Sequence, residues 1–395
     1  MTERLTTGAE HWRQIRRLIN EHRPELAAMA ARLYPDLPRV AGTDLLCWPG
    51  WLPAVPLDLD DLPLDWTSAP PPPAADGTGA AASHVLPRSA VGHAYPSYAA
   101  AIEALDRPAL FENRVCYLLL DAELAGQPGL RFGPAWYFDA VNLGQAVAHE
   151  LTAAWAAGTP PGRAGLGRAG LDWAGLDWAA LPLRASVGDP CALPRRSALT
   201  AVTTLTLRRA PGGAASFLLH WRDPALVNHA GGLYQVMPAG IFQPVSAAPA
   251  AQRHDFSLWR CMTREFSEEL MGGSEEYPTL GGRLDYGQWP FYREMAAARE
   301  AGTLRVSCLG LGVDPLTLAT DLLTVAVFDA AVFDRMFHGL VTENAEGRVV
   351  TRDGSSGLPF TQDSVDRLTA GDAPLQTAGA ALLRLAWQHR DFLGV

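Results

Sequence analysis

The stretch Asp255-Phe-Ser-Leu-Trp-Arg-Cys-Met-Thr-Arg-Glu-Phe-Ser-Glu-Glu-Leu-Met-Gly-Gly273 decides how the chain is read. Phe256, Trp259, Met262, Phe266 and Leu270 recur at spacings of three and four, the period of a helix that buries one stripe. Asp255 reads as its N-cap and Gly272-Gly273 as its stop. Glu265 lies three residues before Glu268 and four before Glu269, so all three carboxylates share one edge. Like charges gathered on one edge call for a cation between them, and a hard divalent ion such as Mg2+ suits oxygen ligands. Arg264 is spaced to hold the Glu268 carboxylate. Taken alone, the same residues also describe an amphipathic helix with a solvated acidic face, so the flanking chain has to decide.

Upstream, Leu199–Arg209 is rich in Val, Thr and Leu and predicts a strand. Arg209-Ala-Pro-Gly-Gly213 is a turn, and Ser216–Trp221 is the returning strand. Leu233–Phe242 predicts a further strand, which ends at a glycine. Downstream, Gln288–Ala301 predicts a helix, Leu304–Val313 and Leu322–Asp329 strands, and Leu375–Phe392 a closing amphipathic helix.

A strand, a hairpin, a strand ending in Pro238-Ala-Gly240, then a helix bearing Arg264-Glu265-Phe266-Ser267-Glu268-Glu269: this order resembles the Nudix hydrolase family. The family signature is G-x5-E-x7-R-E-U-x-E-E-x-G-U, with U aliphatic. The resemblance covers residues 197–395 and implies an α/β fold with a mixed sheet between helices. It implies metal-dependent hydrolysis of a nucleoside-diphosphate-linked pyrophosphate, with Mg2+ or Mn2+ as cofactor and a nucleotide-like small molecule as substrate. Glu265 and Glu269 would then be metal ligands, Glu268 a ligand or the base, and Arg264 an orienter. Asp321 or Asp314 would supply a base from a separate loop. Gly240 would face the substrate, and Arg283 and Tyr286 would contact phosphate or stack on a base. Homodimers are common in that family. The alternative is a non-catalytic module that senses a nucleotide-like ligand and regulates a partner.

The chain departs from the signature in named places. Gly240 stands 24 positions before Arg264, against 14 in the signature, so residues from about Pro244 to Arg253 read as an insertion. Phe256 stands where the first signature glutamate belongs, with Asp255 adjacent but out of register. Met271 replaces the closing glycine, which comes one position late as Gly272.

The first half carries no identifiable chemistry. Ala9–Leu33 predicts a helix divided at Pro24; Tyr95–Leu105 and Gly144–Ala157 predict helices, and Val115–Leu120 and Leu130–Phe138 strands. Residues 1–157 thus form a smaller α+β domain. Residues 158–196, in which Ala-Gly-Leu-Asp-Trp occurs twice in tandem, are a Gly/Pro/Trp-rich linker, and 197–395 the Nudix-like domain. A net charge of −10 argues against a nucleic-acid-binding surface. Five scattered cysteines with no C-x-x-C pair fit reduced thiols in the cytoplasm. The N-terminus has no apolar signal core, and no run is long enough to span a membrane.

Overall fold

The computed structural model describes residues 2–89, 91–158, 178–222, 232–272, 279–280, 283–338, 340, 347–350, 357–372 and 374–395. The tandem pentapeptides lie outside these residues except for Trp178, whose ring meets Tyr34 edge-on at 5.6 Å. In the first half the strands are β1 (Leu57–Asp58), β2 (Leu64–Trp66), β3 (Val115–Glu123) and β4 (Gly129–Trp136). The second half adds β5 (Thr200–Arg209), β6 (Ala215–Phe217), β7 (Leu219–Arg222), β8 (Tyr234–Val236), β9 (Ala239–Ile241), β10 (Thr279–Leu280) and β11 (Arg283–Leu284). It ends with β12 (Leu304–Val313), β13 (Thr320–Asp329), β14 (Gly347–Val350) and β15 (Leu358–Pro359). The chain is α/β, with a mixed principal sheet as expected.

That sheet is built on β13, which is buried along nearly its whole length, hence its almost unbroken apolar run. β5 lies parallel to it and β12 antiparallel; β9 and β6 pair with the two ends of β5. Because successive side chains alternate, the register sorts β5, β9 and β13 into two faces. Even-numbered residues look toward the acidic helix, Leu258–Met271: Phe328 meets Phe266 at 5.6 Å, and Gly240, paired with Val202, lies under Glu265. Odd-numbered residues look the other way, and there Thr203 donates to Asp321 at 2.7 Å.

Both halves share one hydrophobic core. β1 pairs with β12, so the first half contributes an edge strand to the principal sheet across the expected boundaries at 157 and 197. Tyr117 and Phe132 pack with Phe242 at 4.4 and 5.2 Å and with Phe256 at 5.2 and 5.8 Å. The described part of the expected linker is not loose chain. Pro182–Val187 is a helix, and wholly buried Arg184 donates to the carbonyls of Pro315 and Leu316 at 2.6 and 2.7 Å. Two backbone N–H groups of that helix, those of Leu183 and Arg184, donate to Glu150.

Several expected elements divide. Leu233–Phe242 is two strands in different sheets, β8 beside β7 and β9 beside β5, with Pro238, which has no N–H for a ladder, between them. Ser216–Trp221 likewise splits at Leu218. The first helix is two, Thr2–Glu21 and Arg23–Arg32, with Pro24 in the opening turn of the second. The helix expected from Gly144 begins at Tyr137, where the Asp139 carboxylate accepts from Trp136 N–H at 2.8 Å. All five cysteines are buried free thiols. No helix among the described residues is long and apolar enough to cross a membrane.

Candidate active site

The acidic helix is capped by Ser257, whose hydroxyl accepts from Arg260 N–H at 3.3 Å, and closes at Gly272 in the left-handed region. Asp255 is therefore not the N-cap. It ends the short helix Pro249–His254, which the Ala/Pro-rich insertion forms, and its carboxylate is wholly buried. There it accepts from Val245 N–H and from the Tyr286 hydroxyl, each at 2.9 Å. Arg264 donates to the same hydroxyl at 2.6 Å and to the Gln243 carbonyl, and lies 3.9 Å from Asp255. Burial works against the Arg264 charge, but Cys261, Tyr286, Asp255 and Glu265 outweigh it and hold the guanidinium above its ordinary pKa.

Two expectations change at this point. Arg264 is turned to this buried network and not to Glu268. Tyr286 is not an open loop residue able to stack on a base: it is 4% exposed and its hydroxyl bridges Arg264 and Asp255. Arg283, on two-residue β11, is exposed and does not line the cavity described below.

Glu265 and Glu268 are half-buried and line a cavity of about 340 Å³, together with Ala239, Gly240 and Ile241 of β9. A side chain at Gly240 would place its Cβ 2.0–2.2 Å from the Glu265 carboxyl group, so only glycine lets that carboxylate lie against the strand. Glu269 is more deeply buried and accepts from Ala239 N–H at 2.9 Å. One edge of the helix is thus seated on the end of β9 through two separate contacts. Among the described residues no group of three acidic, histidine or cysteine side chains is gathered to hold an ion. Two oxygen-donor carboxylates open to one cavity still suit Mg2+, which keeps several waters and takes one or two carboxylates plus phosphate oxygens.

Asp321 lines the same cavity, but from the other face of the sheet, two strands away from β9. That placement is at odds with Asp321 acting as a base beside the three glutamates. Asp314, the other base candidate, organises a turn: it accepts from Leu316 N–H, from the Thr317 N–H and hydroxyl, and from the Thr377 hydroxyl. Burial pushes the Asp321 carboxyl up to about 7; the Thr203 hydrogen bond and Arg23 oppose the rise, and Asp314 adds to it. The folded chain therefore keeps a proton that the unfolded chain gives up near 3.8, and stability falls as pH rises from about 4 to about 7. The displacement from 3.8 to about 7 is worth about 4 kcal/mol. Asp321→Asn cannot titrate, so its stability relative to the natural chain is expected to improve by about that amount between pH 4 and pH 8. Urea denaturation at the two pH values measures the change, and a difference independent of pH would count against it.

Sequence reasoning missed the remainder of the cavity. Phe111, Tyr137 and Gln145 come from the first half, whose helix Tyr137–Gly158 approaches so closely that a Cβ at Gly144 would lie 2.5 Å from the Thr317 carbonyl oxygen. Arg196 lines it too; burial lowers its pKa to about 10, and it donates to the Pro190 and Leu318 carbonyls and the Thr320 hydroxyl. None of these lies in a recognisable spacing.

Neither a family model nor a curated protein matches the chain. Among solved structures it is similar to the Nudix hydrolase RenU from M. Smegmatis, at 16% identity over 50% of this chain and 88% of that one, TM-score 0.22. It is also similar to a Nudix hydrolase from Alicyclobacillus acidocaldarius, at 17% identity over 47% of this chain and 90% of that one, TM-score 0.27. Similarity at this level carries no inference about the site.

Proposed function

We propose that the chain is a divalent-metal-dependent hydrolase of Nudix type, acting in the cytoplasm on a nucleoside-diphosphate-linked pyrophosphate. The observation that carries this reading is the fit of Glu265 into the space left by Gly240. A solvated acidic face would need no glycine beneath it, whereas a carboxylate that must be aimed into a cavity does. Glu265 and Glu268, with Glu269 beside them, are the groups that would hold Mg2+ or Mn2+. Such an ion supplies positive charge against the pyrophosphate oxygens and acidifies bound water.

The chain's own residues do the rest. Ala239 N–H fixes one Glu269 oxygen. Arg264, Tyr286 and Asp255 lock the helix in rotation about its axis and keep the acidic edge on β9. Glu268 lines the cavity together with Glu265 and in this reading would take a proton from the attacking water.

A screen of nucleoside-diphosphate-linked substrates for phosphate or nucleotide release, with Mg2+, Mn2+ or EDTA, tests the proposal. Release is expected only with metal, and Glu269→Gln is expected to lower it at least about ten-fold, since one donor of the set loses its charge. Release that ignores EDTA, or that survives Glu269→Gln unchanged, would refute the assignment. Tight nucleotide binding without turnover would favour the sensing module instead.

A further inference from the structure

A diphosphate brought beside Glu265 and Glu268 meets a helix edge that already carries carboxylates, so a cationic side chain in the same cavity favours its approach. Arg264 is turned to Tyr286 and Gln243, and Arg283 does not line the cavity. Among the described residues three arginines do: Arg114, Arg196 and Arg222. Arg196 is 3% exposed and donates to the Pro190 and Leu318 carbonyls and the Thr320 hydroxyl. The charge of Arg222 acts on Arg23 together with those of Asp314 and Asp321, which places it toward the Asp321 side. Arg114 differs from both. Its side chain is 42% exposed, and its Nε meets the exposed Glu112 carboxylate at 2.9 Å.

The fold brings Arg114 toward the acidic helix. It stands immediately before β3, and Tyr137 N–H donates to its carbonyl at 2.8 Å, which fixes its backbone against the start of the helix Tyr137–Gly158. The opening residues of β3 run beside the chain that leaves β9. Tyr117 N–H donates to the Phe242 carbonyl at 3.1 Å, and Cys116 Sγ lies 3.8 Å from Gln243 Oε1. The Gln243 carbonyl in turn accepts from Arg264, the residue before Glu265. Gln243 therefore touches both the first half and the acidic helix, and it lines the cavity with Arg114, Glu265 and Glu268.

We propose that Arg114 binds the substrate's diphosphate, so that the first half supplies the guanidinium and the second half the carboxylates that hold metal. The assignment rests on the proposed function for the identity of the anion. A guanidinium presents parallel N–H donors that match two phosphate oxygens as they match a carboxylate. Glu112 holds that fork through an exposed ion pair, and exposed pairs are weak, so a phosphate can displace the carboxylate.

Calorimetry on the full chain, with Mn2+ and adenosine 5′-(α,β-methylene)diphosphate as the probe, reads the contact without turnover, because the bridge of this diphosphate cannot be hydrolysed. Arg114→Ala is expected to weaken probe binding at least about ten-fold, the loss of one charge-assisted contact, while Mn2+ alone binds as it does to the natural chain. Arg114→Lys restores the charge but not the fork and is expected to recover part of the loss. Glu112→Gln releases the fork and is expected to tighten probe binding about two-fold or more. Thermal melts check that each variant is folded. Failure of the natural chain to bind the probe, unchanged affinity in Arg114→Ala, an equal loss of Mn2+ affinity, or no tightening in Glu112→Gln would overturn the assignment. Probe binding that depends on Arg114, without hydrolysis of any substrate, would sink the proposed activity alone. Hydrolysis whose kcat and KM are unchanged in Arg114→Ala would sink this assignment alone.

Discussion

Gly240→Ala is expected to lower metal-dependent turnover by roughly a hundred-fold while leaving the fold intact. The added methyl would stand 2.0–2.2 Å from the Glu265 carboxyl group, far inside contact distance, so one of the two must move. The strand cannot easily do so, because β9 is held by its ladder to β5 and by Ala239 N–H on Glu269. The carboxylate can, being the end of a flexible, half-buried side chain at the cavity wall. Gly240 also sits at ordinary negative-φ backbone, outside the positive-φ glycines, so alanine brings no backbone strain of its own. Cost therefore concentrates on where the carboxylate lies, and misplacing a catalytic group by about 1 Å commonly costs about a hundred-fold. Steady-state rates alongside thermal melts test this. A variant that melts with the natural protein and retains full turnover would mean that Glu265 is not part of the chemistry.

The acidic helix was legible because its period, its apolar stripe and its acids are all local features of one short segment. The central strands were legible for the same reason: Leu304–Val313 was placed to the residue, and Thr320–Asp329 to within two. What escaped was set by distant partners. Position 256 does not carry the signature glutamate because its side chain packs with Tyr117, Phe132 and Phe242, which tie the first half to the second. Asp255, one residue earlier, is buried and accepts from Val245 N–H and the Tyr286 hydroxyl, partners that no local spacing announces. Tyr286 reads locally as a loop residue, but Arg264 and Asp255, both distant in sequence, close on its hydroxyl. Asp321 reads as a base near the glutamates, but the pairing of β5 with β13 on one side and β9 on the other puts it on the opposite face. Strand register turns every second side chain away, and a sequence does not announce which neighbour sets it.

Asp255→Ala is expected to cost roughly 3–5 kcal/mol of stability, the penalty for leaving one member of a buried ion pair without its partner. Arg264 is 4% exposed and its charge is held up in part by Asp255, so the guanidinium cannot be neutralised cheaply once that carboxylate is gone. Val245 N–H and the Tyr286 hydroxyl lose their acceptor in the same step. Urea denaturation measures the loss, and the double variant Asp255→Ala/Arg264→Ala separates charge from packing. With both charges removed, the combined cost should fall short of the sum of the single costs by about 1 kcal/mol or more. Additive costs, or a single-variant cost below about 1 kcal/mol, would show that the buried pair does not seat the helix. The same network links stability to function, because Arg264 lies on the helix one residue before Glu265. Arg264 keeps its bonds to the Tyr286 hydroxyl and the Gln243 carbonyl in this variant, but that hydroxyl loses the acceptor that fixes it, so the helix is held less firmly in rotation and the residual folded fraction of Asp255→Ala should also bind Mn2+ more weakly than the natural chain.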